Sequence, residues 1–495
     1  MEPINWENLP LPLLCLCLFY LFLMVGAAAS DYFCVNISTA AFHLPTSIAA
    51  ILLSLANASP DLFSTFAAAT SDGINLAFGE LIGSSAFVTT FVAGCIGLMS
   101  PSSLQPSLFV KNISLFIILL VFIDAFMEFE SLPLSFSLLS LCYYFVYLFF
   151  LLGHENANGS DDEADQQPLL SSELSNASIS AISEPVNRQF STDSLLLHHH
   201  ISSPVLMANE EEIQFFNPES EDYSFLNENK FWKFSKFVAH LITWPVYIIL
   251  NYSCPIIHRM DEIADEDSFT MSINDLSWKS SVLQRKCQGF LGTLFILNML
   301  QNWFEDVIPY ARITIILAIL IALGVSLIFD QLPLRMVLGI AVIVSASIVQ
   351  NSASLMVVIL KILCDKLNMS QGIVGLSVFA LGNSLGDLVT NLTLAKMGHS
   401  QIAYAAALSS PVLCLVVGLG ASTLYLNIKH NIGIKIDSTL YWMLRLLIID
   451  LVLFLGLMKV MKYKLNRTTS IFLIMSYFVI SIGAVVLGHD YTINK

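Results

Sequence analysis

The sequence predicts an all-α polytopic membrane protein with two matched repeats, one in each half. Three observations predict it. The 495-residue chain is 56% hydrophobic and only 12% charged, with a mean hydropathy of +0.72, beyond what a soluble domain carries. Apolar runs recur along both ends of the chain. Two of those runs, one in each half, are interrupted at corresponding places by the same polar residues. Paired interrupted apolar segments are the sequence mark of an intramembrane binding site at the interface of two inverted repeats.

The first repeat occupies about 45–100 and the second about 371–425. Asn57-Ala-Ser-Pro-Asp61 aligns with Asn383-Ser-Leu-Gly-Asp387, with Pro60 standing where Gly386 stands. Gly73 then meets Gly398, and Gly83-Ser84-Ser85 meets Ser409-Ser410-Pro411. Each copy reads as a helix with a broken polar centre, a short turn, and a second helix that opens with small residues.

Leu11–Ala29 is the first apolar run. Ala27-Ala-Ala-Ser30 resembles a signal-peptidase site, but Glu2 and Glu7 stand where a basic leader is needed, so a retained helix is expected. No Arg-rich amphipathic stretch of the mitochondrial kind is visible either. Further spans are expected at 45–70, 78–100, 112–129 and 133–152. Asp124, Glu128 and Glu130 fall near the end of the fourth and are expected to be interfacial and solvated.

The first membrane half is thus 1–153, an insert covers 154–330, and a second half runs from 331 to 495. Residues 154–236 hold fifteen Asp/Glu against four Lys/Arg, so most of the net charge of −16 lies there. This stretch has too little apolar surface to fold alone. Asp165-Gln-Gln-Pro-Leu-Leu170 has the form of an acidic dileucine signal for a sorting adaptor, and Arg188–Ser191 the form of a kinase site. His198–His200 offers metal ligands or is a solvated run. Lys230, Lys233 and Lys236 lead into 237–257, which spans or lies in the interface. A weak apolar stretch follows at 288–300.

The second half reads as spans at 313–329, 335–363, 373–396, 401–425, 437–458 and 470–488. Lys459, Lys462, Lys464 and Arg467 place the last loop in the cytosol. Counting back puts 154–236 there too, and the repeats are inverted only if 237–257 and 313–329 both span or neither does. The nine cysteines form no CxxC pair and read as small core residues.

An acid inside an apolar helix costs a few kcal/mol, about 3 on insertion scales, and marks a functional site by default. Asp61 and Asp387 bring charge, Asn57, Ser59, Asn383 and Ser384 bring neutral oxygens, and Pro60 is expected to free a backbone carbonyl. Ser84, Ser85, Ser409 and Ser410 offer hydroxyls and close backbone approach, or simply helix packing. The candidate cation ligands are Asn57, Ser59, Pro60, Asp61, Ser84, Asn383, Ser384, Asp387 and Ser410. Such an all-oxygen set suits a hard ion such as Ca2+, which takes roughly six to eight oxygens. The motifs contain no soft ligand, which argues against Cu or Zn. Glu80 lines the path or packs, since its counterpart is Ala406; Gln350 and Asn351 face the path or bridge helices.

With these residues in view, the repeats resemble those of the cation/Ca2+ exchanger superfamily, in the branch of the mitochondrial sodium/calcium/lithium exchanger and its fungal homologues. That branch reads GNGAPD and GNSxGD where this chain has Ala56–Asp61 and Gly382–Asp387. Gly79–Gly83, Phe87–Thr90 and Ser30–Cys34 resemble its flanks. The resemblance implies about ten core helices in two inverted five-helix halves. It also implies antiport of Ca2+ against Na+, K+ or H+ by alternating access across an endoplasmic-reticulum or vacuolar membrane. The ions would be substrates, with no cofactor, no enzymatic reaction and no nucleic-acid partner. The family's FGGPxFN stands here as Leu408–Cys414, so the Asn expected at 414 is missing and a ligand goes with it. A channel-like pore and an intramembrane aspartyl protease are the competing readings; the protease lacks its Gly-x-Gly-Asp motif.

Overall fold

The apolar runs fold into helices wherever the described residues cover them. The computed structural model describes residues 9–41, 52, 54–71, 73–104, 106–127, 133–152, 243–259, 276–278, 280–303, 312–396, 400–429 and 436–493. The dileucine-like stretch, the Arg188–Ser191 site, His198–His200, Glu128, Glu130 and Gly398 lie outside them. Seven described helical stretches are long and apolar enough to cross a membrane. The only described strands are two two-residue antiparallel pairs, Ser102–Ser103 with Lys464–Leu465 and His258–Arg259 with Leu276–Ser277.

In order, α1 is Leu11–Ala41, α2 Ser59–Thr70, α3 Ile74–Met99, α4 Pro106–Met127 and α5 Leu134–Leu152. The insert contributes α6 (243–253), α7 (Val282–Trp303) and α8 (Arg312–Phe329). Then come α9 (Leu334–Leu367), α10 (Gln371–Lys396), α11 (400–429), α12 (Ser438–Val460) and α13 (Arg467–Ile493).

These helices fall into two compact units. The first comprises Met1–Phe22, Asn57–Ser183 and Ser352–Lys495, and holds both motifs. Here α2 and α3 form a tight hairpin, and α3 lies against the start of α10 with almost no side-chain layer between them. A Cβ placed on Gly79 would stand 2.8 Å from Gly372 O and 2.9 Å from Gly375 Cα; one on Gly83 would stand 2.7 Å from Ala380 Cβ. Small residues permit this backbone approach, which lipid tails do not otherwise drive.

The contacts also fix direction. Gly79 meets 372–375 and Gly83 meets 376–380, so α3 and α10 run parallel. Because α2 and α3 are an antiparallel hairpin, the two motif helices α2 and α10 run in opposite senses. The repeats are therefore inverted, as the family resemblance implies. The starts of α3, α10 and α12 are tied at one end: Asp437 accepts from Gly372 N at 2.9 Å and donates its own N–H to Asn75 Oδ1 at 3.0 Å. A carboxylate at a helix N-terminus is favoured by the helix dipole. Gly83→Ala is expected to cost about 1–3 kcal/mol by overpacking and to lower the thermal-unfolding midpoint in detergent. Gly456→Ala, whose Cβ meets nothing within 4 Å, is the control and should leave the midpoint unchanged.

Each repeat also carries a π turn at the same place. It covers Phe87–Val92 in α3 and Cys414–Leu419 in α11, beginning two or three residues after the small-residue triplet. The two repeats break differently. In the first, residues 54–57 are helical, Ala58 is a turn, and Pro60 sits in the first turn of α2, where its fixed φ suits a helix start, so the run is broken at its polar centre as expected. In the second repeat α10 runs unbroken through Gly382–Asp387, and its widened turn lies just before the motif, at Gly375–Phe379.

Asp124 is half-buried and paired. Both its oxygens accept from Arg445 Nε, at 3.0 and 3.3 Å, joining α4 to α12, and Tyr441 Oη donates to Met127 O one turn away.

The second unit comprises Leu23–Ala56 and Glu184–Asn351. Its α6 is held along α1 by a rising ladder: Tyr247 Oη donates to Asp31 Oδ2 (2.7 Å), Tyr32 Oη to Asn251 Oδ1 (2.7 Å), and Asn36 Nδ2 to Pro255 O (3.1 Å). The weak apolar stretch at 288–300 lies inside α7, a full 22-residue helix packed on α8. Asn351 bridges helices, accepting from Asn298 Nδ2 at 2.8 Å and donating to Phe295 O at 2.9 Å. Along α8, Ile316, Leu320, Leu327 and Ile328 are exposed, a surface suited to lipid.

Candidate cation site

Asp61 lies in the first turn of α2 and is 8% exposed. Asp387 lies near the middle of α10, half-buried, and the two carboxylates are close enough for each to feel the other's charge. The antiparallel crossing of α2 and α10 produces this meeting of residues more than three hundred positions apart in the chain.

The hub of the site is Glu80. It is fully buried on α3, within electrostatic reach of Asp61. Asn383 Nδ2 donates to Glu80 Oε1 at 2.7 Å and to Ser64 Oγ at 2.7 Å. Ser64 Oγ is 3.3 Å from the same Glu80 oxygen, and Thr65 Oγ1 donates to Oε2. Ser64 and Thr65 are themselves buried one turn beyond Asp61. A buried carboxylate needs such donors to persist. The amide of the second motif thus bonds an acid of the first repeat.

Of the other candidate ligands, Ser59 and Ser384 are each 1% exposed, and both hydroxyls lack a hydrogen-bond partner. Buried, unsatisfied hydroxyls are costly and call for an explanation; here they flank the two motif acids. Ser84 is buried but donates to Leu81 O in its own helix, at 3.1 Å. Ser85 does the same at 2.6 Å. Ser410 and Pro60 are half-buried, and Asn57 is exposed. Gly382 is covered by the Phe22 ring of α1, whereas a Cβ on Gly386 would meet nothing within 4 Å, so the motif helix is closed on one face and open on another.

Glu80, Ser64 and Thr65 were not among the candidate ligands read from the motifs. The signal for them was weak: Glu80 has Ala406 as its counterpart, and the two hydroxyls lie outside the aligned block. Cys414, which stands where an Asn was expected, is also drawn in. Its Sγ lies 3.5 Å from Asp61 Oδ2 and donates to it. Among the described residues, no three His, Cys, Asp or Glu side chains converge closely enough to hold a metal ion as they stand. Glu80 has both oxygens engaged by neutral donors instead.

Fold and site define an inverted-repeat, multi-pass helical membrane protein whose two motif helices carry acids to one buried polar centre. The chain belongs to the sodium/calcium exchanger protein family, whose model matches residues 14–153 and 337–486, more than half of the chain and both repeats. The mitochondrial sodium/calcium exchanger protein of Mus musculus is 25% identical over 472 residues, covering 89% of this chain and 75% of that protein. Cation/calcium exchanger 1 of Arabidopsis thaliana is 24% identical over 471 residues, covering 91% and 76%. A crystal structure of the H+/Ca2+ exchanger CAX aligns with a TM-score of 0.44 and 10% identity, over 96% of this chain and 87% of that one.

Proposed function

We propose that the protein exchanges Ca2+ for a monovalent cation across an intracellular membrane by alternating access, as a transporter and not an enzyme. The observation that carries this is Asp61 lying within electrostatic reach of both Asp387 and Glu80, where the inverted repeats come together. Three carboxylates, two buried and one half-buried, cannot face a low-dielectric interior uncompensated. One divalent ion, monovalent ions or protons neutralise them in turn, and a site that changes sides only when neutralised couples the two fluxes.

Asp61 and Asp387 supply the charge for the ion. Asn383 is the switch: its amide holds Glu80 in the structure described, and an arriving cation draws Glu80 away from it. Ser59 and Ser384 present the free hydroxyl oxygens. Gly79, Gly83 and Gly375 let α3 and α10 slide as a close-packed pair. The relatives' names and the dileucine-like Asp165–Leu170 stretch support an intracellular membrane, which we assign as endoplasmic reticulum or vacuole. A sorting adaptor would bind that stretch.

Radioactive Ca2+ uptake into proteoliposomes preloaded with Na+, K+ or a proton gradient tests the proposal. Uptake under one outward gradient, and none without it, is expected and names the counter-ion. Equal uptake under all conditions, including no gradient, makes the protein a pore. No uptake under any gradient removes the Ca2+ assignment.

A further inference from the structure

The motif residues offer oxygen donors only, and on that basis soft metals are excluded. The tertiary structure adds a sulfur. Cys414 opens the π turn Cys414–Leu419 of α11; the extra residue in such a turn re-aims the side chains around it. Cys414 is 2% exposed. Its thiol is directed at Asp61 Oδ2, 3.5 Å away, and it lies within electrostatic reach of Asp61, Asp387 and Glu80 together.

Two further groups in the motifs have no partner: the hydroxyl of Ser59, in the same helical turn as Asp61, and that of Ser384, one turn before Asp387, both 99% buried. Small apolar packing is the ordinary role of a buried cysteine. Packing alone, however, does not direct the thiol at a carboxylate that belongs to the ion site.

We infer that Cys414 is a specificity-determining residue whose sulfur joins the carboxylates as a ligand and shifts the site's preference from Ca2+ toward thiophilic divalent cations such as Cd2+ and Zn2+. Ca2+ is bound by hard oxygens and gains little from sulfur; Cd2+ and Zn2+ gain much. The inference rests on the cation-exchange reading of the same site.

The test compares the full-length wild type with Cys414→Ser and Cys414→Asn in proteoliposomes, using radioactive Ca2+ uptake with Cd2+ as competitor. The readout is the ratio of the half-inhibiting Cd2+ concentration to the Ca2+ concentration giving half-maximal uptake. Both substitutions are expected to raise this ratio about tenfold or more, the effect of exchanging a soft ligand for a hard one. A cysteine that only packs changes stability or total uptake but not the ratio. An equal ratio in all three proteins overturns the inference while leaving Ca2+ exchange standing.

If the wild type carries no Ca2+, the exchange reading fails and binding decides the rest. Cd2+ titration of the detergent-solubilised chain, read by Cd–S charge-transfer absorbance, is expected to lose one Cd–S equivalent in Cys414→Ser. An unchanged titration overturns the sulfur ligand directly.

Discussion

Asp61→Asn and Asp387→Asn are each expected to abolish Ca2+ exchange. The substitution keeps the shape of the side chain and removes one charge from the buried centre. Asp61 is 8% exposed and feels the charge of Asp387 across the α2–α10 crossing. A buried cation that loses one of its compensating charges is destabilised by about 3–5 kcal/mol, and every 1.4 kcal/mol is about tenfold in affinity. Uptake is therefore expected to fall at least about a hundredfold. Membrane insertion should persist, because an amide is easier to bury than a carboxylate. Gradient-driven uptake in proteoliposomes, with the amount of reconstituted protein measured on the same vesicles, checks this. Wild-type exchange in both variants would remove Asp61 and Asp387 from the site.

Glu80→Gln is the second large effect, and it separates charge from architecture. Glutamine can still accept from Asn383 and Ser64 through its carbonyl oxygen, where Glu80 Oε1 accepts both, each bond being 3.3 Å or shorter. The interlock of α2, α3 and α10 is thus largely kept while the charge is lost. Transport is expected to fall about 10–100-fold, the range seen when a group that orients or supports a metal ligand is removed, with the thermal midpoint nearly unchanged. Asn383→Ala should do the reverse to the structure: it leaves Glu80 Oε1 with only the longer Ser64 contact and lowers the midpoint. If Glu80→Gln exchanges Ca2+ at the wild-type rate, Glu80 is a structural acid and the ion is held by the two aspartates alone.

The repeats were legible because they are written in residue identity. An Asn and an Asp four positions apart, inside an apolar run, occur in both halves, and no packing argument is needed to notice them. Inversion was implied only by the family resemblance, and Gly79 and Gly83 on α3 contacting 372–380 on α10 supply its geometry. The pairing of Asp124 was not legible because its partner, Arg445, is on a helix far along the chain. Pro60 marked the break in the first repeat, but only the structure shows its form: helix through 57, a turn at Ala58, and a new helix that Pro60 helps to begin.

By itself the sequence determined the membrane class, the two repeats and the acids at their centres, since hydropathy and motif identity survive without coordinates. The tertiary structure alone decided that Glu80 is the hub, that Ser64 and Thr65 serve it, and that Cys414 reaches Asp61. These helices are apolar around most of their circumference, so periodicity does not reveal which face turns inward. That face is set by the glycine contacts between α3 and α10 and by the π turns, which rotate the residues beyond them. Both are products of packing between segments hundreds of residues apart.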